Sequence, residues 1–379
     1  MKAGWVVKPL AKVCEVFADG DWVESKDQSL EGIRLIQTGN VGEGVFKDRA
    51  EKARYISEDT FKRLRCTAIF ENDCLISRLP DPVGRSCLLP DTGERMITAV
   101  DCTIVRFDRK QCLPTFFNYY SQSHYYLKIV ASKCTGTTRS RISRSNLSLI
   151  PIPVPPLPEQ RRIVAILDET FDGIATAKAN AEKNLQNARA LFESHLQSVF
   201  TERGDGWVEK SLGECFRLKS GDGLTSKAMN AGAYPVFGGN GIAGMHNEFN
   251  LSGDNVIIGR VGALCGNARH IAENIWLTDN AFKIVDFNCE FDGAFLTYLL
   301  NYKNLRSLAR QAAQPVISNS SLKDLLLNFP GLLEQQRITR QLDALSKETQ
   351  RLESLYQQKL TALDALKKSL LHQAFSGQL

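Results

Sequence analysis

Leu157-Pro158-Glu159-Gln160-Arg161-Arg162-Ile163 returns later in the chain as Leu332-Leu333-Glu334-Gln335-Gln336-Arg337-Ile338. A long stretch without helix breakers follows both copies. From Glu159 to Phe200 there is no proline and only one glycine, Gly173; from Glu334 to Phe375 there is neither. Each stretch reads as one helix of roughly 60 Å at ~1.5 Å per residue, with Gly204 and Gly377 placed as C-terminal caps. A second echo lies upstream: Gly4-Trp5-Val6-Val7-Lys8-Pro9-Leu10 and Gly206-Trp207-Val208-Glu209-Lys210-Ser211-Leu212. Such a repeat is a duplicated domain plus spacer, because solenoid units recur every ~20–50 residues. The expected organisation is a globular domain over 1–156, a spacer helix over 157–203, a second globular domain over 204–331 and a second spacer helix over 332–379.

Composition bounds the class. Hydrophobic residues make up 43% and charged residues 23% of the 379, as in ordinary globular proteins. No apolar run approaches the ~20 residues that span a bilayer, and the N-terminus lacks the apolar stretch of a signal peptide. Ten cysteines occur singly, without a Cys-x-x-Cys pair, so the expectation is no metal site, reduced thiols and a cytoplasmic location. The net charge of +5 is unevenly placed: residues 1–150 hold 23 Lys and Arg against 18 Asp and Glu, whereas 205–331 hold 11 against 12. The first domain thus carries the excess that phosphate contacts use.

Both globular segments read as mixed α and β, an α+β class. Ile33–Gln37, Cys74–Arg78 and Cys102–Phe107 have strand character in the first; Val256–Arg260 and Ala281–Val285 have it in the second. Aromatic-rich helices are expected over 115–126 and 294–308. The proline passage Ile150–Pro156 must be extended. The repeat offset falls from 202 at Trp5/Trp207 to 175 at Glu159/Glu334, so the second domain is 27 residues shorter. Most of the loss lies opposite the charged stretch 47–65.

The second long helix carries a 4-3 spacing through Ile338, Leu342, Leu345, Thr349, Leu352, Tyr356, Lys359, Leu363, Leu366 and Leu370. The matching row in the first is Ile163, Leu167, Thr170, Ile174, Ala177, Ala181, Asn184, Ala188 and Leu191. Both are coiled-coil seams. Alanines stand in the first where Leu352, Tyr356 and Leu363 stand in the second. This volume compensation predicts that the two helices pack on each other. If they pair antiparallel, a pseudo-two-fold axis relates the copies.

No catalytic constellation emerges. The five histidines accompany no nucleophile motif, and there is no phosphate loop. Phe237-Gly238-Gly239-Asn240-Gly241 fits the glycine pattern of methyl-donor-binding adenine methyltransferases, but the chain lacks their Asn/Asp-Pro-Pro-aromatic element. The same loop aligns with Gln37–Gly42, which makes it part of the duplicated frame. Ser132–Ser145 interleaves Lys133, Arg139, Arg141 and Arg144 with hydroxyls such as Ser143. Arginine suits guanine O6 and N7, and hydroxyls suit phosphate. The counterpart, Arg310–Ser321, keeps the Ile-Ser-x-Ser frame but offers Gln314, Ser318 and Asn319, and amides suit adenine. Arg78 and Arg260 match across the copies as phosphate contacts or structural ion-pair partners.

The duplicated Trp-x-x-x-x-Leu opening, the Ile-Ser-x-Ser loop, the Pro-Leu-Pro-Glu-Gln-Arg-Arg-Ile helix start and the C-terminal Leu-Leu-His-Gln-Ala-Phe-Ser-Gly resemble the specificity subunit of type I restriction-modification systems. The resemblance covers nearly the whole chain. It implies a non-catalytic subunit with two target recognition domains, each reading one half of a bipartite, asymmetric site in double-stranded DNA. It also implies paired helices acting as a ruler and docking two methylation subunits, with restriction subunits joining that core. S-adenosylmethionine, ATP and Mg are then expected on the partners and no cofactor on this chain. By position, the DNA-contact candidates are Gln37, Asn40, Arg78, Lys133, Arg139, Arg141, Ser143 and Arg144 in the first domain. In the second they are Asn240, Arg260, Gln314, Ser318 and Asn319. A stand-alone adenine methyltransferase and a coiled-coil protein tether are the competing readings.

Overall fold

In the computed structural model, residues 4–136, 139–310 and 315–379 are described. They form two compact units, Met1–Ala181 with Gln358–Leu379, and Glu182–Gln357.

In the first unit the repeated opening segment becomes strand Val6–Pro9. It pairs antiparallel with Pro151–Val154, so the two ends of the globular part close on each other. Proline is tolerated there because the ribbon has only two strands and its outer edge needs no donor. A four-stranded sheet runs in the order Cys14–Asp19, Cys102–Phe107, Cys74–Ser77, Ser86–Leu88, all antiparallel. A three-stranded sheet places Ile33–Ile36 between Tyr55–Ile56 and the parallel strand Met96–Thr98. The main core joins Cys74, Ile76, Val105 and Phe107 to Phe116, Phe117, Tyr120 and Tyr126.

The second unit repeats this plan. Val208–Ser211 pairs with Leu326–Phe329. Its four-stranded sheet runs Arg217–Ser220, Ala281–Val285, Asn255–Gly259, Ala268–Ile271, and its three-stranded sheet has Tyr234–Gly238 in the middle, parallel to Trp276–Leu277. The plans differ at the other neighbour of that middle strand. In the first unit it is Tyr55–Ile56, followed by helix Glu58–Leu64. In the second it is Gly241–His246, joined to the middle strand by a tight hairpin. The helix and its approach occupy the stretch that the shorter copy lacks.

The expected aromatic helices are both broken. Residues 115–126 contribute to two helices, Pro114–Tyr120 and His124–Ser132. Ser123 ends the run because its side chain accepts from Tyr126 N and caps the second helix. In the other copy Gly293–Tyr302 stops before Asn304, whose φ of 48° is left-handed, and a 3-10 turn, Leu305–Leu308, follows.

The long helices run Leu157–Thr201 and Leu332–Ser376. Gly377 has a left-handed φ of 81° just past the second, as a capping glycine should. Past the first helix the left-handed glycine is Gly206 rather than Gly204, which corrects the expected cap. The repeated Glu-Gln at each helix start has a structural reason. Gln160 is fully buried; its Oε1 accepts from Leu113 N at 2.8 Å, and its Nε2 donates to Gln111 O and Pro155 O, both at 2.8 Å. Gln335 repeats the clamp with Asp292 N at 3.0 Å, Glu290 O at 3.1 Å and Pro330 O at 2.9 Å. A tyrosine–aspartate bond adds to each: Tyr119 donates to Asp168, and Tyr298 to Asp343.

The two helices pair within each unit. In the first, Lys178 meets Asp364, Lys367 lies over the Phe171 ring, and Arg162 donates to Leu379 O. Moving forward on one helix moves backward on the other, so this pairing is antiparallel. Phe375 packs its ring edge against Phe116 and Tyr120. In the second unit Arg189 Nε lies 2.8 Å from Glu353 Oε1, and Phe200 shares a core with Ile338 and Leu342.

Of the expected seam, Ile163, Leu167, Ile174, Ala181, Ala188, Ile338 and Leu342 are buried, and Leu345, Leu352, Tyr356, Leu363 and Leu370 are half-buried. Four positions depart from it: Asn184 and Lys359 are exposed, as are Leu191 and Leu366. Leu191 is 59% exposed and Leu366 44% exposed; their neighbours Phe192 and Lys367 turn inward instead, onto Tyr298 and Phe171. The inward rows step 181, 185, 188, 192 and 356, 360, 363, 367. Both drift by one residue at the same place in the repeat. A straight helix has 3.6 residues per turn, so a strict 4-3 row falls behind it by ~20° per heptad.

Candidate nucleic-acid interface

In each unit the repeated loop closes on the arginine at the end of a sheet strand. Ile142 N donates to Arg78 O at 3.2 Å, and Ile317 N to Arg260 O at 2.9 Å. Both isoleucines are fully buried, and the serine after each caps a short helix: Ser143 accepts from Asn146 N, and Ser318 from Ser321 N. The Ile-Ser-x-Ser frame is therefore a plug and a helix cap. It orients the residues around it.

The first unit surrounds this frame with charge. Thr135 and Arg141 exchange both backbone hydrogen bonds at 2.9 Å, which pins the two ends of the loop. Arg141 Nη2 lies 2.8 Å from Asp101 Oδ1, and Arg144 Nε lies 3.6 Å from Asp19 Oδ2. Arg78 sits beneath them, 5% exposed; its Nη2 donates to Val100 O and lies 3.4 Å from Asp19 Oδ1. Burial lowers the pKa of its guanidinium, against the opposing pull of Asp19. Arg139 is exposed, and Lys133 is half-buried at the end of helix His124–Ser132 with its carbonyl accepting from Asn146 Nδ2. Lys133, Arg139, Arg141, Ser143 and Arg144 thus gather around one loop with Arg78 below it.

Gln37 and Asn40 belong to a separate turn after strand Ile33–Ile36. Asn40 is buried, with Oδ1 accepting from Gln37 N and Nδ2 donating to Lys47 O and Asp48 O. Its amide holds the turn together. Beside it Arg85 donates to Thr38 O, Val41 O, Leu79 O and Pro82 O, tying that turn to the segment after Arg78.

The second unit builds the same place with Arg260 but without counterparts of Arg141, Arg144, Asp19 and Asp101. Arg260 Nη1 lies 3.4 Å from Ser220 Oγ and 3.3 Å from Asp279 O, with its guanidinium over the Phe282 ring. Val316 takes the position of Arg141, bridging to Arg310. Asn319 is exposed and donates to Leu218 O. Asn240 Oδ1 accepts from Leu264 N and so orders the 260–266 loop. Asn240 also lines an open cavity of about 650 Å³ with Thr225, Ser226, Thr278 and Asn280. Gln314 lies outside the described residues. Asp19, Asp101 and Asn280 escape sequence reasoning. Their signal is the pairing across the copies: Arg78 N donates to Asp101 O as Arg260 N does to Asn280 O, both at 2.9 Å. Among the described residues no group of three or more His, Cys, Asp or Glu side chains is placed to hold a metal, and no helix is long and apolar enough to cross a membrane.

Comparison with known proteins agrees with this layout. The family model described as the type I restriction modification DNA specificity domain matches residues 2–186 and again 204–362. The type I restriction enzyme EcoprrI specificity subunit of Escherichia coli is 28% identical over 295 residues, 72% of this chain and 71% of that protein. Among solved structures, a chain from a study of complex assembly and conformational transition of the type I R-M system superposes with a TM-score of 0.81 at 18% identity, over 100% of this chain and 99% of that one. The HsdS subunit of Thermoanaerobacter tengcongensis follows with a TM-score of 0.65 at 20% identity, over 100% and 98%.

Proposed function

This chain belongs to the type I restriction-modification DNA specificity family, and on that footing we propose that it is a non-catalytic specificity subunit whose two units each read one block of a bipartite DNA site. The observation that carries the reading is one frame with two chemistries. The loop beside Arg78 presents Arg139, Arg141 and Arg144, and the loop beside Arg260 presents Val316 and Asn319, near the cavity lined by Asn240 and Asn280. A shared backbone fixes where a base edge is met, and different side chains at that place select different bases. The first unit then favours guanine-containing blocks through its arginines. The second favours adenine through amides. Arg78, buried to its guanidinium and bonded to Val100 O, supports the loop more than it contacts phosphate.

In this reading the paired long helices are the docking surface for methylation subunits, to which restriction subunits add. S-adenosylmethionine, ATP and Mg are used by those partners. The test is a map of methylated adenines in cells holding the methylation partner, with and without this chain. The expected result is loss of methylation at one split motif, two short blocks around an unspecified gap. An unchanged map, or loss at a single uninterrupted motif, rejects the reading.

A further inference from the structure

The acids of the first unit change together with its arginines. Matching backbone bonds align Gly20 N to Cys102 O with Gly221 N to Ala281 O, and Asp21 N to Thr98 O with Asp222 N to Leu277 O. On that alignment Asp19 and Asp101 become Ser220 and Asn280, and Arg141 and Arg144 become Val316 and Asn319. Two carboxylates are present where two exposed arginines are, and both are gone where the arginines are gone. A carboxylate on a DNA-facing surface repels phosphate, so its place there is explained by the arginine it holds. The shortest contact between Asp101 and Arg141 runs from Oδ1 to Nη2, 2.8 Å. A guanidinium has five N–H donors in a rigid plane. Paired at one side and half exposed, it still has donors to offer to guanine O6 and N7. The rotamer freedom of a long side chain is then already restricted before DNA arrives.

We propose that Asp101 is a positioning residue that sets base selectivity through Arg141, with Asp19 doing the same more loosely for Arg144 at 3.6 Å. The pairing also partly neutralises the loop, which weakens its grip on unrelated DNA. The inference rests on the DNA-reading function above.

The experiment titrates the full chain with two labelled duplexes of equal length across several salt concentrations. One duplex is selected by the parent chain from a random pool; the other is a scramble. Asp101→Asn, which installs the residue of the second unit, is expected to bind the scramble more tightly and to steepen its log–log salt slope by about 1. Selectivity should fall about tenfold, at one position of one block. Asp101→Glu should recover part of it. Adding Asp101→Asn to Arg141→Ala should leave selectivity as Arg141→Ala alone leaves it. The idea is overturned if Arg141→Ala loses selectivity while Asp101→Asn keeps it. It is equally overturned if Asp101→Asn weakens both duplexes in proportion with a lower melting temperature, the mark of a merely structural role. A parent chain that selects no sequence from the pool overturns the DNA-reading function itself, and this inference with it.

Discussion

The loops after Arg78 and after Arg260 show how one fold accommodates two side-chain chemistries. Their isoleucine plugs, serine caps and backbone bonds to the arginine carbonyl are the same. The side chains that project from this base share almost nothing: an Arg–Asp network in one, Ser220, Asn280, Val316 and Asn319 in the other. Parts that place the loop are constrained by burial and hydrogen bonding, where a lost partner costs free energy. Parts that point outward are free to vary. The duplication therefore separates a constant loop base from variable outward side chains within a single chain.

The largest effect should come from breaking what the units share. Gln160→Ala leaves Leu113 N, Gln111 O and Pro155 O without their partner in a buried place. It should cost about 3 kcal/mol in denaturant unfolding, and Gln335→Ala should cost a similar amount through Asp292 N, Glu290 O and Pro330 O. If only one of the two destabilised the protein, the clamps would not be equivalent.

Next in size is a change that touches one unit alone. Arg141→Ala should weaken binding to the cognate duplex by about 1–3 kcal/mol, with no change in stability. Val316→Ala at the matching place should be near neutral for binding. Equal losses would remove the distinction between the two chemistries.

A smaller effect concerns the Tyr–Asp bonds. Burial first, and then Asp343, pushes the Tyr298 hydroxyl up to about 12. Its folded pKa exceeds the unfolded value near 10, so its contribution is fully present below pH 10 and is lost as pH rises towards 12. Tyr298→Phe should therefore flatten the alkaline fall of the melting temperature across that window. Tyr119, raised for the same two reasons with Asp168 as its partner, should behave alike. An unaltered alkaline slope in Tyr298→Phe would remove the bond from the account.

The smallest expected change separates two adjacent residues of one helix. Leu191→Ala should alter stability by less than about 0.5 kcal/mol, since the side chain is exposed. Phe192→Ala should cost more, because its ring packs on Tyr298. The reverse order would restore the strict 4-3 seam and reject the drift.

The duplication, the two long helices, five of the strands and the placement of the basic loop were legible in the sequence because each rests on local signals: an echoed motif, the absence of helix breakers, a run of apolar residues, clustered cations. The broken aromatic helices were not, since Ser123 and Asn304 act through the cap and the left-handed turn they form only once the chain is folded. The seam was legible for most of its length and failed at Asn184, Leu191, Lys359 and Leu366, where 3.6 residues per turn outruns a 4-3 row.

Repetition along the chain was enough to establish the architecture and the family, because a duplicated motif constrains every copy of the backbone that carries it. Only tertiary structure revealed that Asn40 serves its own turn, that Arg78 is a buried support, and that Asp19 and Asp101 lie against the arginines of the first unit's basic loop. These partners lie 40 to 125 residues apart in sequence in the Arg141–Asp101 and Arg144–Asp19 pairs. No local pattern links them. The sheet brings them together, and side-chain distance then decides which charge is paired and which is presented.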